Sequence, residues 1–169
     1  MELQSYFQVR LATEEDIPAI MDITKEAFTK YVELAGLQSV SALTETYEDV
    51  KRDLETKLVL IAVQDDIPVG SVRLEIRDDH TAYLSRFGVR TTNQNSGIGK
   101  SIMHLADRLM LKHGVKQIHL HTCSTVFSLI RFYYGRGFYI DSTDKSRGYV
   151  RALLIKDYDR TPVLDTKIF

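Results

Sequence analysis

Apolar residues recur at helical spacing in several stretches of the chain and cluster or alternate at strand length in others. Ile17, Ile20, Met21, Thr24, Ala27, Phe28 and Tyr31 share one helical face, and Thr13 with Asp16 three residues on supplies a cap-like start. Tyr47, Val50 and Leu54 mark a shorter helix, with Thr44 or Thr46 as its cap. The strongest helical pattern is Ile98, Ile102, Leu105, Ala106, Leu109 and Met110, which Gly114 can close. A fourth helix is expected over residues 125–135, capped by Ser124 or Thr125.

The strand-length runs fall between these helices. Residues 7–12 read FQVRLA, and residues 58–63 form the continuous apolar run LVLIAV. After the turn residues Asp65, Asp66, Ile67 and Pro68, the apolar Val72, Leu74 and Ile76 alternate with Ser71, Arg73 and Glu75. That alternation predicts a half-buried antiparallel partner. Asp78-Asp79-His80 supplies another turn before a strand over 82–89, and further strands are expected at 117–122, 138–141 and 148–156. The order is β-α-α-β-β-β-α-β-α-β-β, an α+β fold with a mixed, mainly antiparallel sheet flanked by helices.

Composition adds little to this pattern but removes several functions. No linker or repeat divides the 169 residues, so residues 1–169 read as one domain. A formal net charge of -1 gives no field to attract a polyanion, so neither nucleic acid nor an anionic membrane is an expected partner. No stretch approaches the roughly 20 apolar residues that span a bilayer, and MELQSYFQVR lacks the pattern of a signal peptide, so a cytoplasmic location is expected. Cys123 is the only cysteine, which excludes an internal disulfide or a thiolate cluster and predicts a core residue. His119 and His121 share a strand phase but lack a visible third ligand, so no metal site is expected.

The segment that carries chemistry is Gln94-Asn95-Ser96-Gly97-Ile98-Gly99-Lys100-Ser101, between the strand ending near Val89 and the strongest helix. A helix start leaves backbone N–H groups unpaired and carries partial positive charge, and glycine lets a phosphate approach the backbone closely. Two common nucleotide loops fail here by one glycine each. A P-loop would need glycine in place of Gln94, and a dinucleotide turn would need it in place of Ile102.

Residues 94–99 instead match Q-x-x-G-x-G, after a strand reading S-R-F-G-V, and residues 132–138, FYYGRGF, match F-Y-x-x-x-G-F. In these two motifs the chain resembles the GCN5-related N-acetyltransferases, the GNAT family. The resemblance implies a GNAT-like fold, acetyl-CoA as acyl-donor cosubstrate and a primary amine as acceptor. It implies that the backbone of Gln94, Asn95, Ser96, Gly97, Ile98 and Gly99, with Lys100 and Ser101, holds the pyrophosphate of acetyl-CoA. Phe87, Gly88 and Val89 would border the pantetheine arm, in a gap where the strands over 82–89 and 117–122 splay apart. A homodimer through sheet edges or C-terminal strands is compatible with the same resemblance.

For the reaction, the resemblance implies Tyr133 as the acid that protonates the leaving sulfur, with the adjacent Tyr134 as its competitor. An N–H at or near Val89 would stabilise the oxyanion. Many family members carry a carboxylate on the strand matching 82–89, whereas this chain has Tyr83 and Ser85. Glu75 and His121 are therefore the candidate bases, His121 having the better unperturbed pKa. The departure leaves a silent acyl-CoA-binding domain, or an interaction domain using the tail after Asp157, as alternatives. The acceptor would be lined by residues 29–47 and the last strand pair, with Tyr31, Glu33, Tyr47, Tyr149 and Arg151 as wall residues.

Overall fold

The computed structural model describes residues 6–94 and 96–159. Its strands are β1 (Phe7–Leu11), β2 (Leu58–Gln64), β3 (Ile67–Ile76), β4 (Thr81–Val89), β5 (Gln117–Cys123), β6 (Tyr139–Asp144) and β7 (Arg151–Asp157). The helices are α1 (Ile17–Ala35), α2 (Tyr47–Thr56), α3 (Ile98–Lys112) and α4 (Phe127–Gly135). The expected element order therefore holds along the described chain.

Local chemistry accounts for most boundaries. Thr46, not Thr44, caps α2: its side chain accepts from the Asp49 N–H while Asp49 accepts from the Thr46 N–H. Asp65 and Asp66 both take positive φ, the conformation of a two-residue hairpin turn between β2 and β3. The expected cap of α4 is not made. The helix begins at Phe127 with Val126 as N-cap and no side-chain cap, and the Thr125 hydroxyl lies 3.3 Å from Cys123 Sγ instead. Cys123 is buried, as expected.

The seven strands form one sheet in the order β1-β2-β3-β4-β5-β7-β6. All neighbours are antiparallel except β4 and β5, which the α3 crossover makes parallel. On one face, Leu60, Val72, Leu74, Leu84, Ile118 and Leu154 pack against Ile102, Met103, Ala106 and Met110 of α3 and Tyr133 of α4. On the other, Val59 and Ile61 pack against Ile17, Ile20 and Val50 of α1 and α2.

Two layers covering the same strands correct one expectation. β3 is not half-buried: Ser71 and Arg73 are as completely buried as Val72 and Leu74. Arg73 is tolerated there because Glu45 and Asp53 meet it. Glu45 takes both terminal nitrogens, and Asp53 Oδ2 lies 2.8 Å from Nη1. Burial works against the guanidinium charge, but hydrogen bonds and attraction from the two carboxylates outweigh it and raise the Arg73 pKa.

Candidate active site

The parallel β4–β5 ladder is short. It joins Thr81 to Gln117, Ala82 to Ile118 and Tyr83 to His119, and then the strands part. Beyond Tyr83, β4 remains paired with β3 and β5 with β7, so the gap between them is bounded by two rigid edges. A bulge widens it. The β3–β4 register shifts between Ser71 and Arg73, and Arg86 opposite takes φ +54. The splayed geometry expected for residues 82–89 and 117–122 is present.

Free backbone lines the β4 edge. The Arg90 N–H donates to Val69 O at 2.8 Å, on the β3 side. Successive N–H groups of a strand point to opposite edges, so that of Val89 points into the gap. Phe87 stacks on Phe132 of α4, with ring centroids 5.3 Å apart. Gly88 lies against Ile23 and Ala27 of α1.

At the mouth of the gap the glycine-bearing loop turns into α3. Gly97 is its N-cap with φ +85, which favours glycine, and the Ser101 N–H returns to Gly97 O at 3.1 Å. The N–H groups of Ile98, Gly99 and Lys100 have no partner within the helix, as in any first helical turn. A Cβ on Gly99 would stand 3.1 Å from Phe87 Cζ and 3.4 Å from Phe132, so glycine is what keeps the helix start close to these rings. Unpaired amides at a helix N-terminus that glycine keeps open and close to the gap fit a pyrophosphate.

The side chains of the loop have structural uses. Gln94 Nε2 donates to Val89 O at 3.4 Å while its Oε1 accepts from Lys30 Nζ at 2.7 Å, tying loop, strand and α1 together. Ser96 donates to Asn93 O, and the Ser101 hydroxyl to Gly97 O at 3.1 Å. Lys100 is exposed and Ile98 is core. Asn95 lies outside the described residues.

Tyr133 and Tyr134 diverge as adjacent helical positions must. The Tyr134 ring is half exposed and its hydroxyl accepts from the Ile140 N–H at 3.1 Å, which ties α4 to β6. Tyr133 is buried among Phe87, Phe132 and Phe138. Its hydroxyl makes no hydrogen bond among the described residues. Burial raises its pKa well above the ordinary phenol range, with a further contribution from the Tyr31 hydroxyl. Tyr133 therefore keeps its proton at neutral pH.

Tyr31 reaches from α1 to the β5 side of the gap, where its hydroxyl accepts from the Cys123 N–H at 2.8 Å. It satisfies a strand-edge donor that β4 leaves unpaired.

The two candidate bases part company. Glu75 is half-exposed and engaged with Arg77 at 3.4 Å and Lys57 at 3.9 Å. His121 sits at the apex of the gap, its Nδ1 2.6 Å from the Tyr83 hydroxyl. Burial lowers the His121 pKa, Arg151 and Arg147 lower it further, and Asp144 partly opposes them. Burial raises that of Tyr83, against four surrounding arginines. His119 is held by Gln117 Oε1 at 2.5 Å, and among the described residues no group of side chains is arranged to hold a metal ion.

Sequence reasoning treated Tyr83 only as the replacement for a missing carboxylate. Its pairing with His121 depends on where β4 and β5 stop hydrogen bonding, which periodicity does not encode.

Residues 17–138 match the family model described as Acetyltransferase (GNAT) family. A Bacillus subtilis (strain 168) relative whose name carries an acetyltransferase label is 25% identical over 112 residues, 66% of this chain and 71% of its own length. Among solved structures, the PaiA N-acetyltransferase of Thermoplasma acidophilum in complex with coenzyme A superposes with a TM-score of 0.79 at 22% identity, covering 90% of this chain and 99% of that one. The ribosomal-protein-S18-alanine N-acetyltransferase of Escherichia coli does so with a TM-score of 0.75 at 13% identity, covering 94% and 98%. Seven strands that part at β4 and β5, an open helix start beside the gap and a family model over most of the chain agree: this protein belongs to the GNAT acetyltransferase family, with acetyl-CoA as its cosubstrate.

Proposed function

We propose that the chain transfers the acetyl group of acetyl-CoA directly to a primary amine, with His121 as proton acceptor and Tyr133 as proton donor. The observation that carries this reading is the β4–β5 gap, with a protonated tyrosine at one wall and a Tyr83–His121 pair at its apex.

The amine must lose a proton before it attacks, because an alkylammonium has no lone pair and an unperturbed pKa near about 10.4. Two proton arrangements satisfy the Tyr83–His121 contact. In one, Nδ1–H donates to the phenol oxygen and Nε2 takes the amine proton. In the other, the phenol donates to Nδ1 and receives the amine proton as it passes its own on. In both, the proton ends on His121. The neutral nitrogen then bonds to the thioester carbon, and negative charge builds on the carbonyl oxygen, where the Val89 N–H stabilises it. The carbon–sulfur bond breaks and the Tyr133 proton goes to sulfur. The nitrogen loses its second proton to solvent, and Tyr133 regains one once CoA has left the gap, leaving amide and free thiol.

Phe87, Gly88 and Val89 would hold the pantetheine arm as an added strand, and the backbone from Gln94 to Gly99, with Lys100 and Ser101, the pyrophosphate. The lone buried Cys123 fits a reducing, cytoplasmic setting, and the chain works as one domain. Association as a homodimer would use an open sheet edge, β1 or β6, and sedimentation over a range of concentrations tests it.

Calorimetry with acetyl-CoA tests the cradle. A Gly97→Ala, Gly99→Ala double variant places one methyl at φ +85, at a cost of about 1–2 kcal/mol, and another against Phe87. The expected result is a folded protein with acetyl-CoA affinity at least about tenfold weaker, one factor of ten per 1.4 kcal/mol. Unchanged affinity would move the pyrophosphate elsewhere.

The base is tested by pH. Because the His121 pKa is lowered, the acid limb of kcat/KM is expected below pH 6.5 and the rate is flat above it until the amine itself titrates. His121→Gln is expected to lower the plateau about tenfold and abolish that limb, modest for a base because His121 faces the open side where water substitutes. A variant retaining both plateau and limb would reassign the base.

A further inference from the structure

Beside the reacting groups, the open face of the sheet carries an uneven charge that the acetyl-transfer reading does not use. Strand registers define this face. Glu75 lies opposite Tyr83 and Arg73 opposite Ser85, while His121 lies opposite Leu153 and Cys123 opposite Arg151. Directly paired residues project to the same side, so Tyr83, Ser85, His121 and Arg151 all stand on the side away from α3 and α4. On that side α1 covers β3 and the Gly88 end of β4 and α2 covers β2, while β5 and β7 continue beyond them as the wall an acceptor would meet.

Arginine dominates the surroundings of the Tyr83–His121 pair. The charges acting most strongly on it come from Arg77, Arg86, Arg147 and Arg151, with His119 adding to them and Asp144 opposing. Three acids of this face are engaged. Arg73 and Arg86 hold Glu45, Arg77 and Lys57 hold Glu75, and Arg151 lies 3.5 Å from Asp144, which also accepts from Ser146.

One arginine retains capacity. Arg151 Nε faces Asp144 Oδ2 at 3.5 Å, whereas Arg147, exposed in the β6–β7 connection whose Val150 O accepts from the Ser124 N–H at the end of β5, pairs with no carboxylate among the described residues. A polycationic amine brought to this wall would meet repulsion from each arginine. An amine with an oxyanion at its other end would meet a planar fork suited to bidentate contact.

We propose that the acceptor is a small amine that also bears a carboxylate, which docks on Arg147 beside Arg151 while the amine lies against Tyr83 and His121. This rests on the acetyl-transfer reading of the site, and the two can fail separately.

Calorimetry on the CoA-saturated protein with glycine, β-alanine and γ-aminobutyrate, each against its own carboxamide, and with spermidine, tests recognition without requiring turnover. At least one carboxylate is expected to bind about tenfold or more tighter than its carboxamide, the scale of a hydrogen bond to a charged group. Spermidine is expected to be the weakest ligand. Arg147→Gln should remove most of the difference while CoA affinity stays native.

Equal binding within every pair, tighter spermidine, a preference that survives Arg147→Gln, or no binding by any member would overturn the proposal. CoA release from acetyl-CoA with the same compounds separates the two readings. A carboxylate amine that binds through Arg147 and is never acetylated would sustain the recognition proposal and sink the transfer mechanism.

Discussion

Tyr133→Phe is expected to lower kcat by at least about 10²-fold, with acetyl-CoA affinity close to native, because general acid catalysis typically contributes about 10²–10⁴-fold. The substitution removes one oxygen and keeps the ring, so the contacts with Phe87, Phe132 and Phe138 survive. Raising the phenol pKa does not disqualify it as the donor. The same enclosure that disfavours phenolate also disfavours an expelled thiolate, so both proton affinities rise together. Water does not readily replace a donor that the aromatic cluster encloses. The loss should therefore exceed that from His121→Gln, and it should appear in single-turnover measurements of CoA release. A Tyr133→Phe enzyme with native single-turnover rate would leave Tyr133 as core packing only. Tyr134→Phe is the matched control, since that hydroxyl serves the Ile140 N–H outside the gap.

Arg73→Ala is expected to destabilise the fold by about 3–5 kcal/mol, the usual cost of removing one partner from a buried ion pair. Arg73 is fully buried, with Glu45 and Asp53 on its terminal nitrogens. Its loss strands two carboxylates beside a hole the size of an arginine. Arg86 still reaches Glu45 at 3.2 Å and Lys57 reaches Asp53 at 3.2 Å, so the loss belongs nearer the lower end. Arg73→Met, which refills much of the volume without the charge, should recover little, because the uncompensated acids remain. Urea denaturation of the three proteins at neutral pH measures this. A midpoint for Arg73→Ala within error of the native protein would mean that water solvates Glu45 and Asp53 where they stand. The network also couples stability to the site: Glu45 precedes α2 and is held by Arg73 of β3 and by Arg86 of the β4 bulge, which also contacts Ser41.

The elements most legible from local pattern were those with one buried face. The stripe from Ile98 to Met110 became α3, and the capping residues of α2 lay where their spacing put them. Less legible was β3, whose apolar–polar alternation concealed burial on both sides. A polar residue in an alternating strand reads as solvent-facing unless its partners are known, and those of Arg73 lie 28 and 20 residues away in a loop and in α2. The α4 start shifted for a similar reason. Ser124 and Thr125 are good caps in isolation, but the Ser124 N–H is drawn to Val150 O and the Thr125 hydroxyl to Cys123.

Sequence alone determined the kind of protein this is. Periodicity set the order of strands and helices, and the two spaced motifs around Gly97, Gly99 and Tyr133 named a family and a cosubstrate, because short-range geometry at a helix start needs particular residues at particular positions. Tertiary structure decided which of two tyrosines packs against Phe87 of β4, which of two candidate bases has a tyrosine partner, and where arginines collect. These depend on strand register and on where two parallel strands cease to pair, and register joins residues such as Tyr83 and His121 that stand 38 positions apart in the chain.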